Sequence, residues 1–177
     1  MIRKLLICFI FSGFSCLSFA QVKWLSFEKE NCRIAYPPGW YEEPLSEELT
    51  GIGMKFMIMS PLDGKKDVFS ENVNLAKEEK KAPITLQQFM SSSTSLLASV
   101  VDKFKLKSST TKTNGSGEYG YIEYTGLLDN LKLQWMQCVW IKGIDIYVLS
   151  FTATQSAFKK YKPLFLTMAD SFVIKSN

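Results

Sequence analysis

The chain has 177 residues, 46% hydrophobic, 14% aromatic and 21% charged, with 21 basic against 17 acidic side chains. That composition excludes a disordered, collagen-like or disulfide-dense chain, and the length suits one domain with its own core. Histidine is absent, which removes imidazole-based chemistry: Ser-His and Cys-His pairs, His-ligated metals and the imidazole pH switch.

Residues 1–20 read as a secretory leader. Arg3 and Lys4 give a positive start, the run from Leu5 to Leu17 is nearly all apolar, and Ser18 and Ala20 put small residues three and one before a cut ahead of Gln21. The apolar run is shorter than the ~20 residues that span a bilayer. A second reading lipidates Cys16, which would tether the protein to a membrane surface; membrane contact is expected only in that case. Without Arg3 and Lys4 the mature chain, residues 21–177, carries 19 basic and 17 acidic residues. Nothing in that balance requires nucleic acid. The clusters Lys65-Lys66, Lys80-Lys81 and Lys103/Lys105/Lys107 read as solvated faces.

Two cysteines remain after the leader, Cys32 and Cys138. They either form a disulfide in an oxidising compartment or sit as two unpaired buried thiols. A catalytic thiol is not expected, because no histidine and no Cys-x-x-Cys spacing is there to lower its pKa.

Short strands are expected at 24–27 and 32–36, the second alternating Cys32, Ile34 and Tyr36 against Arg33 and Ala35 before Pro37-Pro38-Gly39 ends it. Trp40 and Tyr41 then lie against a sheet edge, followed by an acidic loop or short helical turn from Glu42. Strands at 52–59 and 69–77 flank a turn containing Asp63-Gly64. A helix opens at Thr85, with Thr85 and Gln88 as a capping box and Ile84 and Phe89 as a hydrophobic staple. Its apolar stripe runs through Leu86, Phe89, Met90, Leu97, Val100, Val101 and Phe104. An antiparallel meander follows: a polar edge strand at 105–112, then strands at 119–125, 131–141 and 144–153, the last the most apolar and central. A closing helix places Phe158, Tyr161, Phe165, Met168 and Phe172 on one face, with a kink expected at Pro163.

Several stretches carry a resemblance. They are Tyr36-Pro37-Pro38-Gly39-Trp40, then Phe69-Ser70-Glu71-Asn72-Val73-Asn74-Leu75, Thr85-Leu86-Gln87-Gln88-Phe89, the meander, and a closing helix that ends in Asp170-Ser171-Phe172. In order and across nearly the whole mature chain, they resemble the PsbP/Mog1-type α-β-α sandwich family. The resemblance implies an α+β fold, an antiparallel sheet flanked by helices on both faces. It also implies a non-enzymatic binding or assembly role; together with the leader this sets the expectation of an unknown protein partner in the cell envelope. It carries over no cofactor and no metal site, because the family's metal sites rely partly on histidine.

Trp40, Tyr41, Glu42 and Glu43 are the candidate interaction surface. The aromatic residues Tyr121, Tyr124, Trp135 and Trp140 lie on both faces of the meander, so either helices cover both faces or one set is a binding surface; the sandwich accounts for them. Asp63, Asp67 and Glu71 could offer oxygen ligands to calcium but lack EF-hand spacing. Two other functions remain open at this point. A small carboxylate-dependent hydrolase needs a deep pocket with two carboxylates about 5–9 Å apart. An apolar-ligand carrier needs a cavity of ~300 Å³ between sheet and helix.

Overall fold

The structure is a computed structural model that describes residues 23–29 and 31–175; the leader, its cut after Ala20 and Cys16 lie outside the described residues. Ten strands and three helices follow in chain order. These are β1 (Leu25–Lys29), β2 (Cys32–Tyr36), β3 (Tyr41–Glu42), α1 (Glu47–Gly51), β4 (Met54–Met59), β5 (Asn72–Glu79), α2 (Leu86–Val100), β6 (Asp102–Asn114), β7 (Gly117–Leu128), β8 (Leu131–Lys142), β9 (Asp145–Thr154), α3 (Phe158–Ser171) and β10 (Val173–Ile174). The chain is α+β. Seven strands form one antiparallel sheet in the order β3-β4-β5-β9-β8-β7-β6, and β1-β2-β10 form a second, smaller one.

Period-two alternation sets the layers, because directly paired residues share a face. Tyr121 opposes Cys138, which opposes Leu149, which opposes Leu75. This row and its neighbours Phe56, Ile58, Val73, Tyr119, Met136, Trp140 and Phe151 pack against α3 and the small sheet in the main core. The alternate residues point the other way. Val139 and Ile146 meet Phe89 of α2, and Ile122 and Tyr124 meet Met90. Helices therefore cover both faces, and the Tyr124–Trp135 stack, with centroids 5.1 Å apart, lies on the α2 side rather than forming a free aromatic surface. The most apolar strand, β9, stands fourth of seven, at the centre of the sheet.

The second helix begins as its residues dictate. Thr85 Oγ1 accepts from Gln88 N–H at 3.2 Å, and Thr85 N–H donates to Gln88 Oε1 at 2.9 Å. Ile84 and Phe89 join one cluster. The expected apolar stripe is shorter than its spacing suggested. Phe89 and Met90 are buried, but Val100 is 67% exposed, and Phe104 belongs to β6, where it packs on Tyr124 at 5.4 Å. The helix ends at Val100 because Val101 turns extended. Close approach replaces length: a Cβ at Gly126 would lie 2.3 Å from Val101 Cγ1 and 2.9 Å from the Asp102 carbonyl oxygen.

No break occurs at Pro163; α3 is one continuous helix. The proline lies on its exposed side, where water can serve the Lys159 carbonyl that lacks an N–H partner. The small sheet was not legible locally, since β10 is two residues long and pairs with Arg33 and Cys32 far back in the chain. A clamp holds that end. Asn114 Nδ2 donates to the Ala169 carbonyl at 2.9 Å, its Oδ1 accepts from the Trp140 indole N–H at 3.3 Å, and Ser116 Oγ donates to the Phe172 carbonyl at 3.0 Å.

Candidate functional site

The corner after β2 divides into a buried half and an open half. Pro37-Pro38-Gly39 stops β2, with Gly39 at φ +87° completing the turn. Trp40 then points inward. It is 8% exposed and meets Tyr161 and Phe165 of α3 edge-on at 6.2 and 6.4 Å. The expectation that Trp40 belongs to a surface is corrected accordingly: an indole beside an aromatic helix face gains more from packing than from water. Tyr41 is 45% exposed on the outermost strand, β3, which pairs with only two residues of β4. Glu42 accepts from the Tyr36 hydroxyl at 3.3 Å, and Glu43 N–H donates to the Met57 carbonyl at 2.9 Å. Glu42 and Glu43 line an open cleft of about 450 Å³ between this edge and β1, with Phe27, Lys29, Leu45 and Met57. Ser46 caps α1 below it, accepting from Leu49 N–H at 3.3 Å.

Cys32 and Cys138 are both buried, and no disulfide joins them. Burial pushes the Cys138 thiol up to about 12, so it is an inert core group.

The three carboxylates near the 60–71 turn do not converge on a cation site. Asp67 is consumed by the turn, accepting from Asp63 N–H at 2.7 Å and Phe69 N–H at 3.1 Å. Asp63 pairs with Lys160 at 2.5 Å. Glu71 is buried, accepts from Ser60 Oγ at 3.3 Å and is hydrogen-bonded with Tyr161. Among the described residues no group of three or more His, Cys, Asp or Glu side chains is placed to hold a metal ion.

Burial raises the Glu71 carboxyl above its usual range, and the nearby Asp67 charge adds to this, against the bonds that favour ionisation. A raised folded pKa means the native state binds the extra proton. Stability therefore falls as pH rises from the unfolded value through the folded one. Glu71→Gln is expected to raise the melting temperature at pH 7 by roughly 2–4 °C, the response of a domain this size to about 1 kcal/mol, with the gain shrinking as pH falls. Calorimetry across pH 4–8 measures this; a variant less stable than wild type at pH 7 contradicts it.

The sequence reading missed a second buried carboxylate cluster. Glu123 is 7% exposed and accepts from the Tyr121 hydroxyl, from Gln134 Nε2 at 2.7 Å and from Lys162 Nζ of α3 at 2.7 Å. Its parity with Tyr119 and Tyr121 on β7 was the available signal. Burial works to raise its pKa, but the Lys162 and Tyr121 hydrogen bonds and the Lys162 charge hold it below the usual carboxylate range. Neither Glu71 nor Glu123 lines the cleft beside β3. A small cavity between the two sheets is about 30 Å³, room for about one water.

No family model matches the sequence, and no curated protein sequence matches it either. Solved structures do. Cyanobacterial PsbP (CyanoP) from Synechocystis sp. PCC 6803 superposes with a TM-score of 0.62 at 16% identity, covering 90% of this chain and 97% of its own. LpqN, involved in cell envelope biogenesis of Mycobacterium tuberculosis, gives 0.59 at 12% identity, covering 82% and 83%. The Saccharomyces cerevisiae Ran-binding protein Mog1p gives 0.58 at 10% identity, covering 87% and 96%. With helices on both faces of an antiparallel sheet and these likenesses across most of its length, the chain has the PsbP/Mog1-type α-β-α sandwich fold.

Proposed function

We propose that this is an exported, non-catalytic binding domain whose protein partner in the cell envelope seats on the β3–β4 edge. One observation carries the reading: the exposed Tyr41 stands on the edge strand next to Glu42 and Glu43, which line an open cleft at the end of a sheet whose two faces are already covered. The apolar stripes are consumed internally. What remains at this edge is a mixed aromatic and acidic rim, the composition of a recognition surface. The leader-like residues 1–20 support export. LpqN, with the same fold, is involved in cell envelope biogenesis, which favours the envelope, and Mog1p is Ran-binding, which favours association. Among the described residues no helix is long and apolar enough to cross a membrane.

Tyr41→Ala combined with Glu43→Lys is expected to weaken partner capture from envelope extract about tenfold or more, with the melting temperature unchanged. The same partner recovered at the same yield would contradict the assignment of this edge. Intact mass checks export separately. A chain beginning at Gln21 is expected, whereas one beginning at an acylated Cys16 would make it a membrane-tethered protein.

A further inference from the structure

At the start of β6, cations and aliphatic tips meet that the rest of the fold does not use. Asp102 pairs with Leu127, but the register shifts before Lys105 meets Thr125, and the bulge holds Lys103 at φ +52°. Lys103, Phe104 and Lys105 line an open cleft of about 400 Å³ together with Leu127 and with Lys132, which pairs with Leu127 from β8. These three lysines are exposed, and among the described residues they have no ion-pair partner. No carboxylate lines the cleft. The nearby ones are Glu123, Asp102 and Asp129. Glu123 is buried and taken up by Lys162, Tyr121 and Gln134; the two aspartates are exposed. With Lys107, residues 96–107 and 125–134 carry four lysines against those two aspartates, a surplus of two. That equals the surplus of the whole mature chain, 19 basic over 17 acidic. The aliphatic tips adjoin the charges. Val100 lines a shallow hollow with Asp102 and Lys103, and Leu96 lies one turn before it on the same side of α2. Leu106 follows Lys105, and Leu128 follows Leu127. Four of the ten exposed large apolar side chains among the described residues are therefore gathered in these two short segments.

We propose that this corner docks on the surface of an anionic phospholipid bilayer. Its composition selects the occupant. Protein interfaces are poor in lysine and rich in aromatic anchors, whereas here the exposed apolar tips are aliphatic and stand among lysines. That mixture suits a bilayer surface. Aliphatic tips enter the boundary between headgroups and acyl chains, and lysine stems lie along it with their ammonium groups among the lipid phosphates. Each such lysine adds attraction to an anionic surface, and the charge surplus complements it. The sequence reading expects membrane contact only through an acylated Cys16; this corner supplies contact through the fold itself. The β3 strand that carries Tyr41 is the other edge of the same sheet, and neither Tyr41 nor Glu43 lines this cleft. The proposal therefore stands or falls apart from the partner edge.

The test is flotation of the purified protein with vesicles of equal parts phosphatidylglycerol and phosphatidylcholine, and with vesicles of phosphatidylcholine alone. The protein carries Cys16→Ser, so that no acyl chain can tether it, and every variant keeps the same residues 1–20. Binding to the anionic vesicles is expected to be roughly tenfold or more tighter than to the neutral ones, an advantage that high salt removes. Lys103→Gln/Lys105→Gln/Lys132→Gln should lose that advantage, about tenfold or more in affinity. Val100→Ser/Leu128→Ser should weaken binding roughly threefold or more at any salt. Lys81→Gln/Lys142→Gln/Lys175→Gln removes the same charge beyond the opposite ends of β5, β8 and β10 and should bind as the parent. All the substituted side chains are exposed, so melting temperatures equal to the parent's check that the fold is kept. Equal losses in the two lysine variants would mean diffuse attraction and overturn the proposal, as would equal binding to neutral and anionic vesicles. A discrete protein adduct from a photo-crosslinker at Leu128 in cells, without vesicle binding by the purified protein, would make the corner a protein interface and likewise overturn it.

Discussion

Trp140→Ala is expected to destabilise the protein by about 3–5 kcal/mol, the range for truncating a fully buried aromatic. The indole is wholly buried between Tyr119, at 4.9 Å, and Phe172, at 4.8 Å, and its N–H donates to Asn114. Three structures meet at that ring: the large sheet, the C-terminal end of α3 and the turn that clamps it. Removing it leaves a cavity at their junction and an Asn114 oxygen with one partner fewer. A melting temperature lower by roughly 6–15 °C follows for a domain of this size. Urea unfolding of variant and wild type provides the measurement; a loss under about 1 kcal/mol would mean that the small sheet and α3 do not dock on Trp140 as described.

Lys162→Met should have the next largest effect, about 1–3 kcal/mol at pH 7. The range is set by the buried carboxylate it leaves behind and reduced because the lysine itself is 40% exposed. The sign with pH is distinctive. In wild type the Glu123 pKa is depressed, so its contribution is present above the unfolded value and is lost as pH falls through the folded one. Without Lys162 burial dominates and the carboxyl takes up a proton more readily. The gap between variant and wild type is therefore largest at neutral pH and closes toward pH 4. A gap that is constant with pH would show that Lys162 acts through packing of its stem alone. A Glu123→Gln background should abolish the pH dependence of the difference.

The contrast between the two buried carboxyls explains much of what sequence could and could not reveal. Alternation along β2 set Cys32, Ile34 and Tyr36 apart from Arg33 and Ala35, and the structure buries the first three. Local patterns with their own punctuation were legible in the same way: the Thr85/Gln88 cap and the apolar centrality of β9. Features built from distant segments were not. The β2–β10 pairing, the burial of Trp40 beneath α3 and the Lys162–Glu123 pair each depend on contacts between residues tens to more than a hundred positions apart. Composition near Trp40 and Tyr41 gave no sign that one ring would turn inward and its neighbour outward, because strand parity there begins only after the Gly39 turn.

The Tyr41 edge is where that division matters for function. A sheet covered by α2 on one face, and by α3 and the small sheet on the other, offers its edges and end clefts to other molecules. The two edges differ in character. The far edge, β6, carries several lysines, which discourage strand addition, whereas β3 is two residues long and sits beside an open cleft. The most direct measurement is site-specific photo-crosslinking of the protein in cells, with the probe placed at Tyr41 or at Thr110 on β6. The account predicts one discrete protein adduct from Tyr41 and none from Thr110. Adducts from Thr110 alone would contradict it.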